Sequence, residues 1–148
     1  TDLCIGAACY PEKHAEALNL ATDIAYLKQK VDAGAEYLVT QMFFDNARYY
    51  RFVDLCRAEG ITVPIIPGLK PLTTLKHIAF IPKTFGIDLP QPLASELVKC
   101  RTDADVKHLG IEWSISQTKD LMEHKAPCVH FYTMGKSEAV RSIVSQTF

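Results

Sequence analysis

The stretch Lys30-Val31-Asp32-Ala33-Gly34-Ala35-Glu36-Tyr37-Leu38-Val39-Thr40 contains a helix end, its stop and the start of a strand. Upstream, between Asp23 and Ala33, the apolar residues Ile24, Leu27 and Val31 recur at spacings of three and four. That is the period of one helix face. Gly34 follows as the C-terminal stop, and an apolar run begins three residues later. The unit then returns. Asp45-Asn46 caps a second helix carrying Tyr49, Phe52, Val53 and Cys56, and Gly60 stops it directly before another apolar run. The two glycines lie 26 residues apart, the distance of a βα repeat. Parallel strands need a crossover helix between them, so this cadence predicts an α/β fold with a parallel sheet.

Four runs read as strands: Leu3–Cys9, Tyr37–Phe44, Val63–Pro67 and Cys128–Tyr132. Each is nearly continuously apolar rather than alternating, as expected for strands covered on both faces. After Gly68 the cadence breaks for about 60 residues, too long for a structureless loop in a compact domain. Helices are expected there over Thr74–Ile81, Pro92–Cys100 and Asp103–His124, with a last one over Ser137–Thr147. In the longest, Val106, Leu109 and Trp113 form an apolar stripe with Ile111, Ile115 and Met122 beside it. Thr102, Asp103 and Asp105 supply its cap and a first turn favoured by the helix dipole. Four strands with their helices make half of an eight-fold barrel, and a four-stranded sheet cannot close on itself. Pattern alone leaves two readings, a small open α/β domain or the second half of a TIM barrel.

The 148 residues carry a formal net charge of −1, so one domain is expected, without the basic excess of a nucleic-acid groove or the acid block of a disordered tail. No apolar run approaches the roughly 20 residues of a membrane span, and no signal-like start is present. The first residue is Thr1 rather than Met, which reads as a processed or excised piece. Cys4, Cys9, Cys56, Cys100 and Cys128 are scattered without a C-x-x-C pair. They are expected to be reduced, mostly buried thiols of a cytoplasmic protein. The five histidines show no H-x-x-H or H-x-x-x-H spacing, so no metal site is expected. His130, inside the last run, reads as a satisfied core histidine.

Several motifs together resemble one family. In order they are Tyr10-Pro11-Glu12-Lys13-His14-Ala15-Glu16-Ala17, then Lys30–Ala35, then Thr40-Gln41-Met42-Phe43-Phe44-Asp45. Pro64-Ile65-Ile66-Pro67-Gly68, Gly110-Ile111-Glu112 and His130-Phe131-Tyr132-Thr133 follow. Each alone is weak, but their order and spacing are specific. The chain resembles bacterial methylenetetrahydrofolate reductases, whose Y-P-E-x-H-x-E-A stretch lies near mid-chain rather than at residue 10. The resemblance decides for the half barrel: residues 1–148 as one segment, units five to eight of a (βα) TIM barrel. It implies an FAD enzyme that uses NADH or NADPH to reduce 5,10-methylenetetrahydrofolate to 5-methyltetrahydrofolate in one-carbon metabolism. It also places the catalytic glutamate and an aspartate touching flavin and folate in the earlier half, so no catalytic residue is assigned here. The chain alone is expected to be inactive, completed by the N-terminal half or hiding its edges in a homo-oligomer.

The residues themselves suggest ligand contacts. A Tyr ring at a strand mouth can pack on a flat cofactor while a nearby His donates to phosphate or ribose; a rim Tyr and a solvated His are the plain alternative. Asp23, Tyr26 and Lys30 share a helix stripe, suited to ribose hydroxyls and pyrophosphate or, more plainly, to a solvated salt-bridge face. By resemblance Tyr10, His14, Ala17, Asp23, Tyr26, Gln29 and Lys30 hold FAD. Gln41 is an amide beside apolar neighbours, costly to bury unpartnered and able both to donate and to accept; its plain reading is a tie between loops. By resemblance Gln41 touches folate and nicotinamide in turn. His77 and Lys136 stand where the family has Gln and Arg touching folate. Lys136 keeps the charge without the bidentate fork, and a histidine charge varies near neutral pH. Lys70 reads as a solvent-facing loop cation; a Schiff-base aldolase built on it, or a non-catalytic assembly module, are the competing readings.

Overall fold

A computed structural model describes residues 3–148. Its elements are β1 (Gly6–Cys9), α1 (Leu20–Asp32), β2 (Tyr37–Thr40), α2 (Asn46–Ala58), β3 (Ile65–Ile66), β4 (Gly68–Leu69), α3 (Leu75–Phe85), α4 (Gln91–Leu97), α5 (Asp103–Glu123), β5 (His130–Phe131) and α6 (Glu138–Thr147). All three strand pairings are parallel, in two ladders ordered β1-β2-β3 and β4-β5. The α/β class and the parallel pairing agree with the helix–glycine–strand cadence.

The strand boundaries need correction. Leu3 and Ile5 stand exposed ahead of β1, and β2 ends at Thr40 rather than Phe44. The third run does not act as one strand. Ile65 and Ile66 pair with Leu38 and Val39, whereas Gly68 and Leu69 pair with His130 and Phe131. The switch falls at Pro67, which has no N–H to give a ladder, although its carbonyl accepts from the His130 N–H at 2.9 Å. The two ladders are joined across this point, because the Gly68 N–H donates to the buried Thr40 hydroxyl at 2.8 Å. Room is tight. A Cβ at Gly68 would stand 2.4 Å from the Thr40 carbonyl oxygen and 2.7 Å from the Tyr132 ring.

Helix starts follow their sequence signals. Asn19 caps α1, Asp45 caps α2, and Thr102 with Asp105 forms a full capping box on α5. Two cores lie on either side of the chain. In one, Ile24, Leu27, Leu38, Phe43, Phe52 and Ile65 pack α1 and α2 on the three-stranded ladder. In the other, Met42, Phe44, Leu72, Ile81, Leu93 and Val106 pack beneath α3, α4 and α5. Met42 and Phe44 thus enter one core and Phe43 the other, the two-sided burial that a continuous apolar run implies.

The expected stripe of α5 packs on the second core, with Val106 inside it and Leu109 and Trp113 against it, but the fully buried seam lies beside that stripe. Val106, Gly110, Ser114, Gln117, Thr118 and Leu121 are buried, while Leu109 and Trp113 are only partly so and Met122 is exposed. The reason is close backbone approach: a Cβ at Gly110 would lie 2.0 Å from the Leu72 carbonyl oxygen. The cysteine expectation also fails in part. Cys9 and Cys56 are buried, Cys100 is intermediate, and Cys4 and Cys128 are exposed. His130 is exposed, its ring set edge-on to Tyr132 at 4.7 Å, so it is no core histidine. Among the described residues, no helix is long and apolar enough to cross a membrane, and no group of three or more His, Cys, Asp or Glu could hold a metal ion.

Gly110→Ala should therefore destabilise the fold by at least about 2 kcal/mol, the scale of overpacking against backbone that cannot retreat. Urea denaturation of the variant against the parent measures it; a change within about 0.5 kcal/mol would mean that α5 can shift off Leu72.

Candidate functional site

Two concavities lie at the C-terminal ends of the strands. The larger is a cavity of about 650 Å³ whose lining includes Gln41, Lys70, His77, Tyr132, Thr133 and Lys136. Phe80, Ile81, Phe85 and Met134 supply its apolar surface, and Lys107 and Glu138 also line it. The three residues expected to touch folate, Gln41, His77 and Lys136, are thus brought together from the end of β2, the first turn of α3 and the turn between β5 and α6.

Gln41 follows Thr40 directly. Its backbone N–H donates to the Cys9 carbonyl at 2.7 Å, and its side-chain oxygen accepts from the Met42 N–H at 3.0 Å. The amide nitrogen makes no hydrogen bond among the described residues, which leaves a donor for the cavity. The segment after it is fixed by α5. Trp113 donates from Nε1 to the Phe44 carbonyl at 3.0 Å, and Gln117 donates to the Phe43 carbonyl at 3.3 Å. These side chains satisfy carbonyls that lie beyond the β2 ladder.

Lys70 is half-buried on the cavity wall, not solvent-facing as the loop position suggested, and burial holds its ammonium below the ordinary pKa. Burial also lowers the His77 pKa below 6.5, helped by the nearby charges of Lys70, Lys136 and Lys76 and opposed by Asp103. Geometry agrees, since His77 Nδ1 accepts from the Thr73 N–H at 3.2 Å. A ring nitrogen that accepts carries no proton, so neutral His77 has its proton on Nε2. Lys107 pairs with Glu138 at 2.7 Å and bridges α5 to α6. Lys136 is exposed and, among the described residues, meets no carboxylate.

The smaller concavity is a shallow cleft lined by Ala8, Cys9, Tyr10, Asp23, Leu27, Lys30 and Phe52. Three of the seven residues expected to hold FAD meet here. His14 stands beside them, its ring edge-on to Tyr10 at 4.5 Å and its N–H donating to Asp23 Oδ2 at 2.8 Å. His14 Nδ1 accepts from the Glu16 N–H at 3.2 Å, so in the neutral ring Nε2 is the donor. Lys30 Nζ reaches only the Ala8 carbonyl, at 3.3 Å, and meets no carboxylate among the described residues. A cation without a counter-charge, a donor imidazole and a carboxylate with one uncommitted oxygen fit a pyrophosphate and a ribose. FAD is therefore compatible with the residues present. Ala17 is half-buried outside the cleft lining, its carbonyl taking the Lys13 ammonium, and Tyr26 and Gln29 are exposed on α1, also outside the lining.

Two neighbours in this loop escaped the sequence reading. Lys13 adopts φ 82°, a left-handed conformation unusual for lysine, and its ammonium gathers the carbonyls of His14 at 2.9 Å and Ala17 at 2.6 Å. The loop is folded around that charge. Glu12 reaches away from the cleft and accepts from the Asp88 N–H at 2.8 Å. Both stand inside the quoted motif, but no spacing rule says where their side chains go.

Comparison with known proteins fits this geometry. The family model described as Methylenetetrahydrofolate reductase matches residues 1–147, and the chain belongs to that family. A probable methylenetetrahydrofolate reductase (NADPH) of Caenorhabditis elegans is 38% identical over 142 residues, covering 95% of this chain and 21% of the relative. The 5,10-methylenetetrahydrofolate reductase of Escherichia coli K12 is 36% identical over 138 residues, covering 93% of this chain and 47% of the relative. The chain thus spans about half or less of the length of these curated relatives. A solved structure from Clostridium thermocellum, of a protein that binds two copies of 5-methyl-5,6,7,8-tetrahydrofolic acid, matches with a TM-score of 0.63 at 20% identity. It covers 99% of this chain and 53% of that one, a likeness of fold.

The lowered His77 pKa makes a pH prediction. Above pH 6.5 the ring is neutral in folded and unfolded chains alike and adds no pH dependence. As pH falls below 6.5 the unfolded chain takes up the proton first, so stability drops until the lower folded pKa is passed. His77→Gln should remove that loss. Denaturation at pH 7.5 and 5.5 should show the parent losing more stability than the variant, by less than about 1.4 kcal/mol per pH unit. Equal losses would mean that His77 titrates normally.

Proposed function

We propose that the protein carrying this chain reduces 5,10-methylenetetrahydrofolate to 5-methyltetrahydrofolate with NADH or NADPH through FAD, in the cytoplasm. Residues 1–148 would supply the second half of its TIM barrel. The observation that carries the reading is the convergence of Gln41, His77 and Lys136 on one cavity, in a chain of this family. The exposed Leu3 and Ile5, and the unpaired outer side of β1 among the described residues, fit a further half pairing there. With that half absent, the isolated chain is inactive, or it pairs with a second copy.

In this reading the small cleft takes the adenosine end of FAD. Lys30 offers charge to the pyrophosphate, His14 donates from Nε2, and Asp23 accepts from ribose. Held there, FAD would supply the hydride relay between the nicotinamide and the folate. The cavity serves the two substrates in turn. The free Gln41 amide nitrogen donates to an acceptor on the pterin or on the nicotinamide carboxamide. Phe80, Phe85 and Met134 cover the flat ring systems, and Lys70 and Lys136 draw in carboxylates. Neutral His77 gives one donor from Nε2, where an amide would offer both a donor and an acceptor. The proton donor to folate belongs to the other half.

The reading is tested on the whole protein by flavin fluorescence quenching and steady-state kinetics. Lys30→Ala should weaken FAD binding about 10-fold, the scale of one charge-assisted hydrogen bond. Gln41→Ala should lower kcat/KM for folate and nicotinamide alike by at least about 10-fold, with FAD affinity kept within about twofold. Lys136→Arg, which restores a bidentate fork, should tighten folate binding by roughly threefold or more. A whole protein that binds no FAD would sink the proposal.

A further inference from the structure

Within the 10–17 loop, Glu12 makes a long-range bond to the α3 side of the molecule. Its Oε2 accepts the Asp88 N–H at 2.8 Å, across 76 positions of sequence. Asp88 lies just past α3, after the left-handed Gly86 cap and the buried Ile87. The Asp88 carboxylate in turn pairs with Arg48 of α2 at 2.8 Å. The helix so anchored carries His77, Phe80, Ile81 and Phe85, all on the wall of the large cavity. A single hydrogen bond thus connects the loop beside one concavity to the wall of the other.

The connection has a cost. Glu12 Oε1 is buried with no hydrogen-bond partner among the described residues. A buried acceptor left unpaired is unfavourable by the desolvation of that atom. Burial raises the Glu12 pKa, opposed by the Asp88 N–H and by Arg48, with Asp88 and Asp45 adding to the rise. A residue kept only for stability would be better served by an amide or an apolar side chain here. The bond across to Asp88 is a single contact worth on the order of 1 kcal/mol, a size that binding on either side of it can bias.

We infer that Glu12 is a positioning residue that couples occupancy of the flavin cleft to the placement of α3, the wall on which His77 sits. The inference rests on the flavin reading of the 10–17 loop. A cofactor that orders Tyr10 and His14 orders Glu12 between them, and Glu12 then holds Asp88 and the end of α3. Folate would meet a wall already set by FAD, with no contact between FAD and α3.

Hydrogen exchange followed by mass spectrometry on the whole protein, with and without FAD, tests this. In the wild type FAD should slow exchange in residues 10–17 and also in 75–88. In Glu12→Ala the protection of 10–17 should persist, that of 75–88 should vanish, and the ligand-free 75–88 segment should exchange roughly fivefold faster, the worth of one hydrogen bond. Glu12→Gln keeps an acceptor and should restore the wild-type pattern. Wild-type protection of 10–17 without any in 75–88 overturns the inference alone, whatever the variants do. FAD protection of 75–88 undiminished in Glu12→Ala overturns it as well. No FAD effect on either segment overturns the flavin reading and the inference together.

Discussion

The joint between Thr40 and Gly68 is the constraint on which the rest of the structure depends. Thr40 is fully buried and closes β2. Its hydroxyl accepts from Gly68 and its carbonyl accepts from the Tyr132 hydroxyl at 2.8 Å. A buried hydroxyl and carbonyl must find such partners, and here the partners belong to the second ladder. The two ladders consequently cannot slide past each other. Gln41 after β2, Lys70 after β4 and Tyr132 after β5 are held around one cavity as a result. The site is a by-product of how the sheet is held together.

The candidate flavin cleft depends on a different kind of order. Its loop is not part of a ladder and is shaped by local polar contacts: the Lys13 ammonium inside the turn, Asp23 on the His14 N–H, and the Tyr10 and His14 rings edge to edge. Such contacts are individually worth about 1 kcal/mol.

Much of this was legible in the chain. The helix periods with Gly34 and Gly60, the caps at Asp45 and Thr102, and two-sided apolar runs gave the α/β class, because each is a local rule acting over a few residues. The grouping of Gln41, His77 and Lys136 came from motif resemblance, and the shared cavity fits it. The misses share a cause. The break at Pro67, the small seam of α5, the exposure of His130 and the reach of Glu12 to Asp88 depend on partners tens of residues away. Gly110 shows this well: as a lone glycine in a helix it reads as a mild weakness, and only the Leu72 backbone at its side explains it.

The length of α5 has a consequence for how such a site can change. Its first turns hold the start of α3, through the Leu75 N–H on Asp103 at 2.8 Å, and the start of α6, through Lys107 and Glu138. Its last turns hold α2, through Asp120 with Asn46 at 2.7 Å and Tyr50 at 2.6 Å. One rigid rod therefore sets the spacing of the walls, and side chains facing inward between its attachment points are interchangeable parts. A histidine for an amide at His77, or an ammonium for a guanidinium at Lys136, would change the polar groups on the wall without altering the gauge of the cavity. Divergence in such a scaffold is expected to collect on the walls and to spare the rod and its fastenings.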